Sequence, residues 1–309
     1  MIIGVDVGGT KTAVVLGTAQ AKIVWRKQFP THAHRGYKKI YQELIAMIAE
    51  ALKNSPEPVK AISVSIGGPL DVLKGIIKSP PNLPGWDDVP LKQMLSEQFS
   101  LPVYIEHDGN AGALAEHYFG AGRGYQNIIF LTMGTGLGAG LILDGRLYRG
   151  TTDTAGEIGH IRMNTVGPFS YGKFGSLEAF GSGTGIAKLA HGMYPKLWDS
   201  SASILDVYTA YQSGREEARK VFEQAAFYIG RGFAILVDIL NPQRIILGGI
   251  GMRIGDAILP IARQVMFEET LSEAANSCEI IPSQLGEMIG DIASLCAALD
   301  QGNFLERKP

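Results

Sequence analysis

The chain is predicted to fold as an α/β protein of two lobes, on three observations. Its 309 residues exceed the size at which a single hydrophobic core usually stops growing, which favours two lobes over one. Apolar residues make up 46% against 19% charged, with no low-complexity tract, so the chain can bury a sizeable core and falls outside the disordered class. Short apolar strands joined by glycine turns alternate with long helix-periodic stretches, the pattern of sheets flanked by helices.

At the start, "IIGVDV", "TAVVLG" and "KIVWRKQF" read as three strands, the first turn holding Gly8, Gly9 and Thr10. "YKKIYQELIAMIAEALK" follows as a helix: Tyr37, Ile40, Tyr41, Leu44, Ile45, Ile48 and Leu52 recur at helical spacing and form one stripe that must pack on a sheet. "AISVSIGG" returns to strand, and "SPPNLPGWDDVP", rich in proline and glycine, reads as a loop. A second run begins at "NIIFLTMGTGLGAGLILDG", again strand, glycine turn, strand, and later helices lead into the strand "RIILGG". "IIGVDVGGTKTAVVL" and "IIFLTMGTGLGAGLI" share an apolar strand, a Gly/Thr turn and an immediate return strand. Glycine hairpins are common, so chance similarity competes with duplication, and the repeated plan favours duplication. "GDIASLCAALDQ" closes the chain as a helix with Ile292, Leu295, Cys296 and Leu299 on one face.

Net charge is −2, from 28 basic and 30 acidic residues, and no Lys/Arg-rich run occurs. That removes the electrostatic footprint for nucleic acid or an anionic membrane and points to small-molecule partners. The apolar run 128–143 is interrupted by glycines and is too short for a spanning helix. "MIIGVDVGG" has no basic segment and no small-residue cleavage site, so a cytoplasmic location is expected. Cys278 and Cys296 belong to no CxxC pair, which supports neither a disulfide framework nor a thiolate metal cluster.

Gly8, Gly9, Gly134, Gly136 and Gly138 are expected to take positive φ and to turn their amides together into concave nests for phosphate oxygens. An amide hydrogen bond to a charged oxygen contributes roughly 1.5 to 3 kcal/mol, so several can hold a triphosphate. Thr10, Lys11 and Thr135 can add side-chain donors. The competing account is tight turns without a ligand. No GxxxxGK[ST] occurs, and "GTGLGA" is followed by a strand where a dinucleotide fingerprint requires a helix. Asp6, at the mouth of the first turn, suits Mg²⁺ held partly through water, or else caps the turn.

"DVGGTKT", "EHDGNAGALAEHYFGAGRG", "GTGLGAGLILDGRLYRG", "AGEIGHI", "LEAFGSG" and "IILGGIG" together resemble the ROK sugar kinases, glucokinase-like members of the actin/hexokinase ATPase superfamily. The resemblance spans nearly the whole chain. It implies a two-lobed actin-like (ribonuclease H-like) fold, each lobe a mixed sheet flanked by helices, with the smaller lobe at 1–107 plus 291–309 and the larger at 108–290. It implies ATP and Mg²⁺ as cofactors, a homodimer, and phosphorylation of a hexose such as glucose at O6. N-acetylmannosamine, N-acetylglucosamine and a catalytically inactive sugar-binding regulator are the alternatives. ROK repressors carry an added N-terminal helix-turn-helix, and this chain starts on its first strand, so no DNA binding is expected.

By the same resemblance Asp108 is the catalytic base, and the residues also admit a helix cap there. Asp6, Gly8, Gly9, Thr10 and Lys11 match the first phosphate turn, Gly134, Thr135, Gly136 and Gly138 the second, and Gly248 and Gly249 the adenosine site. Gly67, Gly68, Asn82, Glu157, His160 and Glu178 match the sugar site. His107 stands where the family usually has Asn, and either contacts sugar or tunes Asp108. Ile250 replaces an expected third glycine. Most relatives carry a CxCGxxGCxE zinc motif before the second glutamate, with the GEIGH histidine as a ligand. Here "FSYGKFGSLE" sets Phe169, Tyr171 and Ser176 at the cysteine positions, so no structural zinc is expected. Burial of Phe169, Tyr171 and Phe174 is the expected substitute source of order.

Overall fold

A computed structural model describes residues 1–302 and Phe304. Along the chain, β1 (Ile2–Val7), β2 (Lys11–Gly17) and β3 (Ile23–Pro30) precede α1 (Tyr37–Lys53), β4 (Ala61–Ile66), the short strands β5 (Leu70–Asp71) and β6 (Ile76–Ile77), α2 (Leu91–Phe99), β7 (Val103–His107) and α3 (Asp108–Phe119). Next come β8 (Ile128–Met133), β9 (Leu137–Leu143), β10 (Arg146–Tyr148), β11 (Phe169–Ser170), β12 (Lys173–Phe174), α4 (Leu177–Gly181), α5 (Gly183–Met193), α6 (Ile204–Gln212) and α7 (Glu216–Leu240). The chain continues through β13 (Arg244–Gly249), α8 (Ile250–Arg253), α9 (Gly255–Glu269), α10 (Ser272–Ser277), β14 (Glu279–Pro282) and α11 (Ile289–Gln301).

Two compact units emerge: Met1–Phe119 with Arg149–Ala155 and the chain from Glu287, and Gly120–Tyr148 with Gly156–Gly286. The expected division after residue 107 therefore falls later. Helix α3 stays with the first unit because it packs on α11 and on β7. Arg149 stays there too, since its guanidinium pairs with Glu106 and Asp300.

The sheet of the first unit runs β3-β2-β1-β4-β7, antiparallel on the β3 side of β1 and parallel on the β7 side. Ile3, Val5 and Val7 join the core that holds Ile40, Leu44 and Ile48 of α1. Gly4, between them, points the other way and meets α11: a Cβ there would come within 3.0 Å of Leu295 Cδ2. The strand is thus covered on both faces, as its continuous apolar run requires. The loop 79–90 is anchored by Trp86, which is fully buried and meets Tyr37 edge-on at 6.2 Å.

The sheet of the second unit runs β10-β9-β8-β13-β14 with the same succession of antiparallel and parallel neighbours. The duplication expected from the two glycine hairpins is therefore present at the level of strand order. Helix α7 packs on α9 and α4, and buries Val221, Phe222, Ile229 and Phe233. No helix among the described residues is long and apolar enough to cross a membrane.

Candidate active site

Parallel register brings the first cluster together. Val7 pairs with Ile66 and Ile66 with His107, so β1, β4 and β7 end level with one another. The turns that follow, at Gly8, Gly67 and Asp108, lie along one edge, where α/β sheets place ligands. Asp108 opens α3 with its side chain 48% exposed, and its Oδ1 accepts from the Gly109 amide at 2.7 Å. His107 Nδ1 lies 3.2 Å from that same oxygen and also accepts from Gly109 N at 3.2 Å. Gly68 presses on the imidazole: a Cβ there would come within 2.6 Å of His107 Cδ2.

None of Gly8, Gly9, Gly134, Gly136 and Gly138 takes positive φ, contrary to expectation. Close approach marks two of them instead, Gly9 and Gly136, while a Cβ at Gly134 would meet nothing within 4 Å. A Cβ at Gly9 would lie 2.8 Å from Asn82 O, and one at Gly136 would lie 2.8 Å from Glu178 Oε2. The turns also offer fewer donors than expected. Gly8 N donates to Lys11 O at 3.1 Å and Gly134 N to Gly136 O at 2.9 Å, while Gly138 sits in the ladder of β9. The amides of Gly9 and Thr10 in one unit, and of Thr135 and Gly136 in the other, keep no partner among the described residues.

Asp6 has its carboxyl raised to about 7, first by burial and then by the Asp108 charge, with Lys11 drawing it back. Asp291, at the start of α11, adds to the repulsion while pairing with Arg26 at 2.7 Å. A buried carboxylate facing other carboxylates favours a cation. Among the described residues no three His, Cys, Asp or Glu come together as a group that could hold a metal ion.

In the second unit, the helical turn Ile158–His160 packs on α4, and a Cβ at Gly159 would lie 3.3 Å from Glu178 Cβ. Glu178 Oε2 accepts from Leu137 N at 3.0 Å, just past the Gly134–Gly136 turn, and its Oε1 accepts from the Ser170 hydroxyl. Glu157 Oε2 lies 3.9 Å from His160 Nε2, and both side chains are exposed. Gly248 and Gly249 end β13 in register with Thr132 and Met133, and Gly249 takes φ +61 before Ile250 opens α8.

The expected burial of Phe169, Tyr171 and Phe174 is not observed: they are 50%, 40% and 55% exposed. Their segment forms the two-stranded hairpin β11–β12, too small to enclose three rings. Phe169 and Phe174 instead pair edge-on across it at 5.1 Å, and Tyr171 stacks on His160 with centroids 3.6 Å apart. Ser176 caps α4, accepting from Ala179 N at 3.2 Å.

Sequence reasoning missed the support behind Asp108. Glu106, fully buried, accepts from His107 N at 3.0 Å and Asn110 Nδ2 at 3.0 Å on Oε1, and pairs through Oε2 with Arg149 at 2.6 Å. Burial acts to lower the Arg149 pKa, and the Glu106 and Asp300 carboxylates more than offset it, holding the guanidinium above its ordinary value. The single acid inside the strand "VYIEH" was the available signal for Glu106. Nothing comparable marks Arg149.

The ROK family matches residues 2–298 of this chain. A glucokinase of Halalkalibacterium halodurans is 32% identical over 320 residues, covering 99% of this chain and 97% of its own length. A xylose repressor of Caldicellulosiruptor bescii is 29% identical over 297 residues, covering 92% of this chain and 74% of the repressor. Among solved structures, a ROK family glucokinase from Streptomyces griseus in complex with glucose and AMPPNP matches with a TM-score of 0.79 at 28% identity, over 97% of this chain and 99% of that one. With the family match running almost end to end, the chain belongs to the ROK family, in its actin-like α/β fold.

Proposed function

We propose that the protein is an ATP-dependent sugar kinase that transfers the γ-phosphoryl group to a hydroxyl, O6, of a hexose such as glucose. The observation that carries this is Asp108, an exposed carboxylate at the common end of three parallel strands, beside His107 and in the field of Asp6. As base, Asp108 takes the proton of the sugar hydroxyl while that oxygen attacks the γ-phosphorus and the bond to the β-phosphate oxygen breaks, giving sugar phosphate and ADP. His107 holds a backbone amide through Nδ1 and thereby fixes the turn that carries the base.

The amides of Gly9, Thr10, Thr135 and Gly136 are the donors left for phosphate oxygens, with Lys11 as a cation and Gly248 and Gly249 beside the adenosine. Asp6 would hold Mg²⁺, which supplies neutralisation of phosphate charge when bound. Gly67, Gly68, Asn82, Glu157, His160 and Glu178 serve sugar hydroxyls. The glucokinase relatives support this role, and so does the Streptomyces griseus glucokinase in complex with glucose and AMPPNP.

The xylose repressor's similarity favours a second role, sugar sensing without turnover. ADP release measured with glucose, mannose, N-acetylglucosamine and N-acetylmannosamine separates the two. Turnover on a hexose, reduced about 10²- to 10⁴-fold by Asp108→Asn with sugar binding retained, is the expected result. Binding without ADP release would favour the sensor, and preference for the 2-acetamido sugars would move the substrate class. Light scattering tests the homodimer proposed with it.

A further inference from the structure

The turn of the hairpin β11–β12 is Tyr171-Gly172, with φ of +52 and +70. Positive φ at both central positions is the type I′ geometry, which favours Asn-Gly or Gly-Gly and disfavours a bulky aromatic. A strained residue of this kind calls for a function. The ring of Tyr171 lies on the ring of His160, 3.6 Å between centroids and 27° from parallel. Its neighbours engage the same pair: the Ser170 hydroxyl donates to Glu178 Oε1, and the Lys173 ammonium donates to His160 O.

We infer that this hairpin is a metal-free clamp in which Tyr171 and Ser170 are positioning residues, setting His160 and Glu178 for a sugar's hydroxyls; the inference rests on the sugar site proposed above. Glu178 is held at both oxygens, by Leu137 N at 3.0 Å on Oε2 and by Ser170 on Oε1. Each carboxylate oxygen carries a second lone pair, so a carboxylate fixed in this way keeps acceptor capacity in a set direction. His160 is 48% exposed, and the stack on Tyr171 restrains its ring. The base of the hairpin is closed by the Phe169–Phe174 pair and tied down by Lys188 Nζ, which donates to Phe169 O at 3.3 Å.

Tyr171→Asn separates positioning from folding, because asparagine tolerates left-handed backbone and makes a favoured Asn-Gly turn while removing the ring. We expect an unchanged or higher Tm, and a sugar KM raised about tenfold with the ATP KM held within about twofold. Tyr171→Phe should restore the parent values. Ser170→Ala should act like Tyr171→Asn, and Ser170→Thr should rescue it. Sugar KM values equal to the parent in Tyr171→Asn and Ser170→Ala would overturn the clamp, as would an equal rise in the ATP KM.

A readout independent of turnover is proton NMR of the full chain, with His160 assigned through His160→Gln. Its ring protons should move downfield in Tyr171→Asn, which removes the stacked ring, and hold position in Tyr171→Phe. Unmoved resonances in Tyr171→Asn would overturn the clamp. If the parent phosphorylates no sugar, the kinase role fails while the NMR result still decides whether Tyr171 holds His160.

Discussion

Asp6 carries its carboxyl at about 7 because burial and the Asp108 charge both oppose ionisation. In the unfolded chain the same group ionises near 3.8, so the folded state keeps a proton that the unfolded state has released. Stability from this group is therefore full below about pH 4 and is lost as pH rises towards about 7. Calorimetry of the metal-free chain should show Tm declining across that window, and Asp6→Asn should flatten the decline while abolishing phosphoryl transfer. A parallel decline in the variant would sink this assignment. Gly136 gives a second test of a single position. Alanine there would set a Cβ 2.8 Å from Glu178 Oε2, so Gly136→Ala should displace that carboxylate and raise the sugar KM, read from initial rates. The cysteines should be inert: burial and the Glu279 charge push the Cys278 thiol up to about 12, and Cys296 is fully buried and raised. A thiol reagent at neutral pH should label neither until the chain is denatured.

Strand ends deliver the chemistry, and their register is what makes a site of residues scattered along the chain. Val7, Ile66 and His107 are level because two parallel pairings share β4. Behind that edge, the fully buried Glu106 pairs at 2.6 Å with Arg149, whose side chain is half-buried. Such a pair is a weak source of net stability, yet removing Arg149 leaves the buried Glu106 charge stranded. Arg149→Met should cost about 3 to 5 kcal/mol in denaturant titration. Adding Glu106→Gln should recover much of that loss. Additive losses in the double variant would argue against coupling between the two residues. Strand and helix identities here were legible in the sequence, because alternation and 3.6-residue spacing are local properties. The Arg149–Glu106 pair was not, since its members lie 43 residues apart and neither position announces the other.

Each unit carries its own mixed five-stranded sheet, with strands in the same order relative to its glycine hairpin. Each therefore has an apolar core to hold it. A chain ordered in this way should keep its Tm in the presence of a strong chelator, and elemental analysis after dialysis should find no stoichiometric zinc. Either a chelator-sensitive melt or one zinc per chain would overturn that expectation. The zinc-motif segment also shows where local reasoning stops. Loss of cysteines was plain from Phe169, Tyr171 and Ser176, but burial of the aromatics was the wrong substitute, because a two-stranded hairpin has no interior.

Periodicity, glycine hairpins and ordered motifs were sufficient for the α/β class, the duplication and the family, because each is written in short stretches of neighbouring residues. Three-dimensional packing was needed for the rest. It showed that Gly9 and Gly136 answer to close approach rather than to positive φ, since the crowding atoms come from Asn82 and Glu178. It set the charge state of Asp6, because desolvation and the Asp108 field exist only once the strands are side by side. It also laid Tyr171 on His160, eleven positions earlier in the chain, a contact that depends on how α4 and its hairpin fold back on the turn at Ile158–His160.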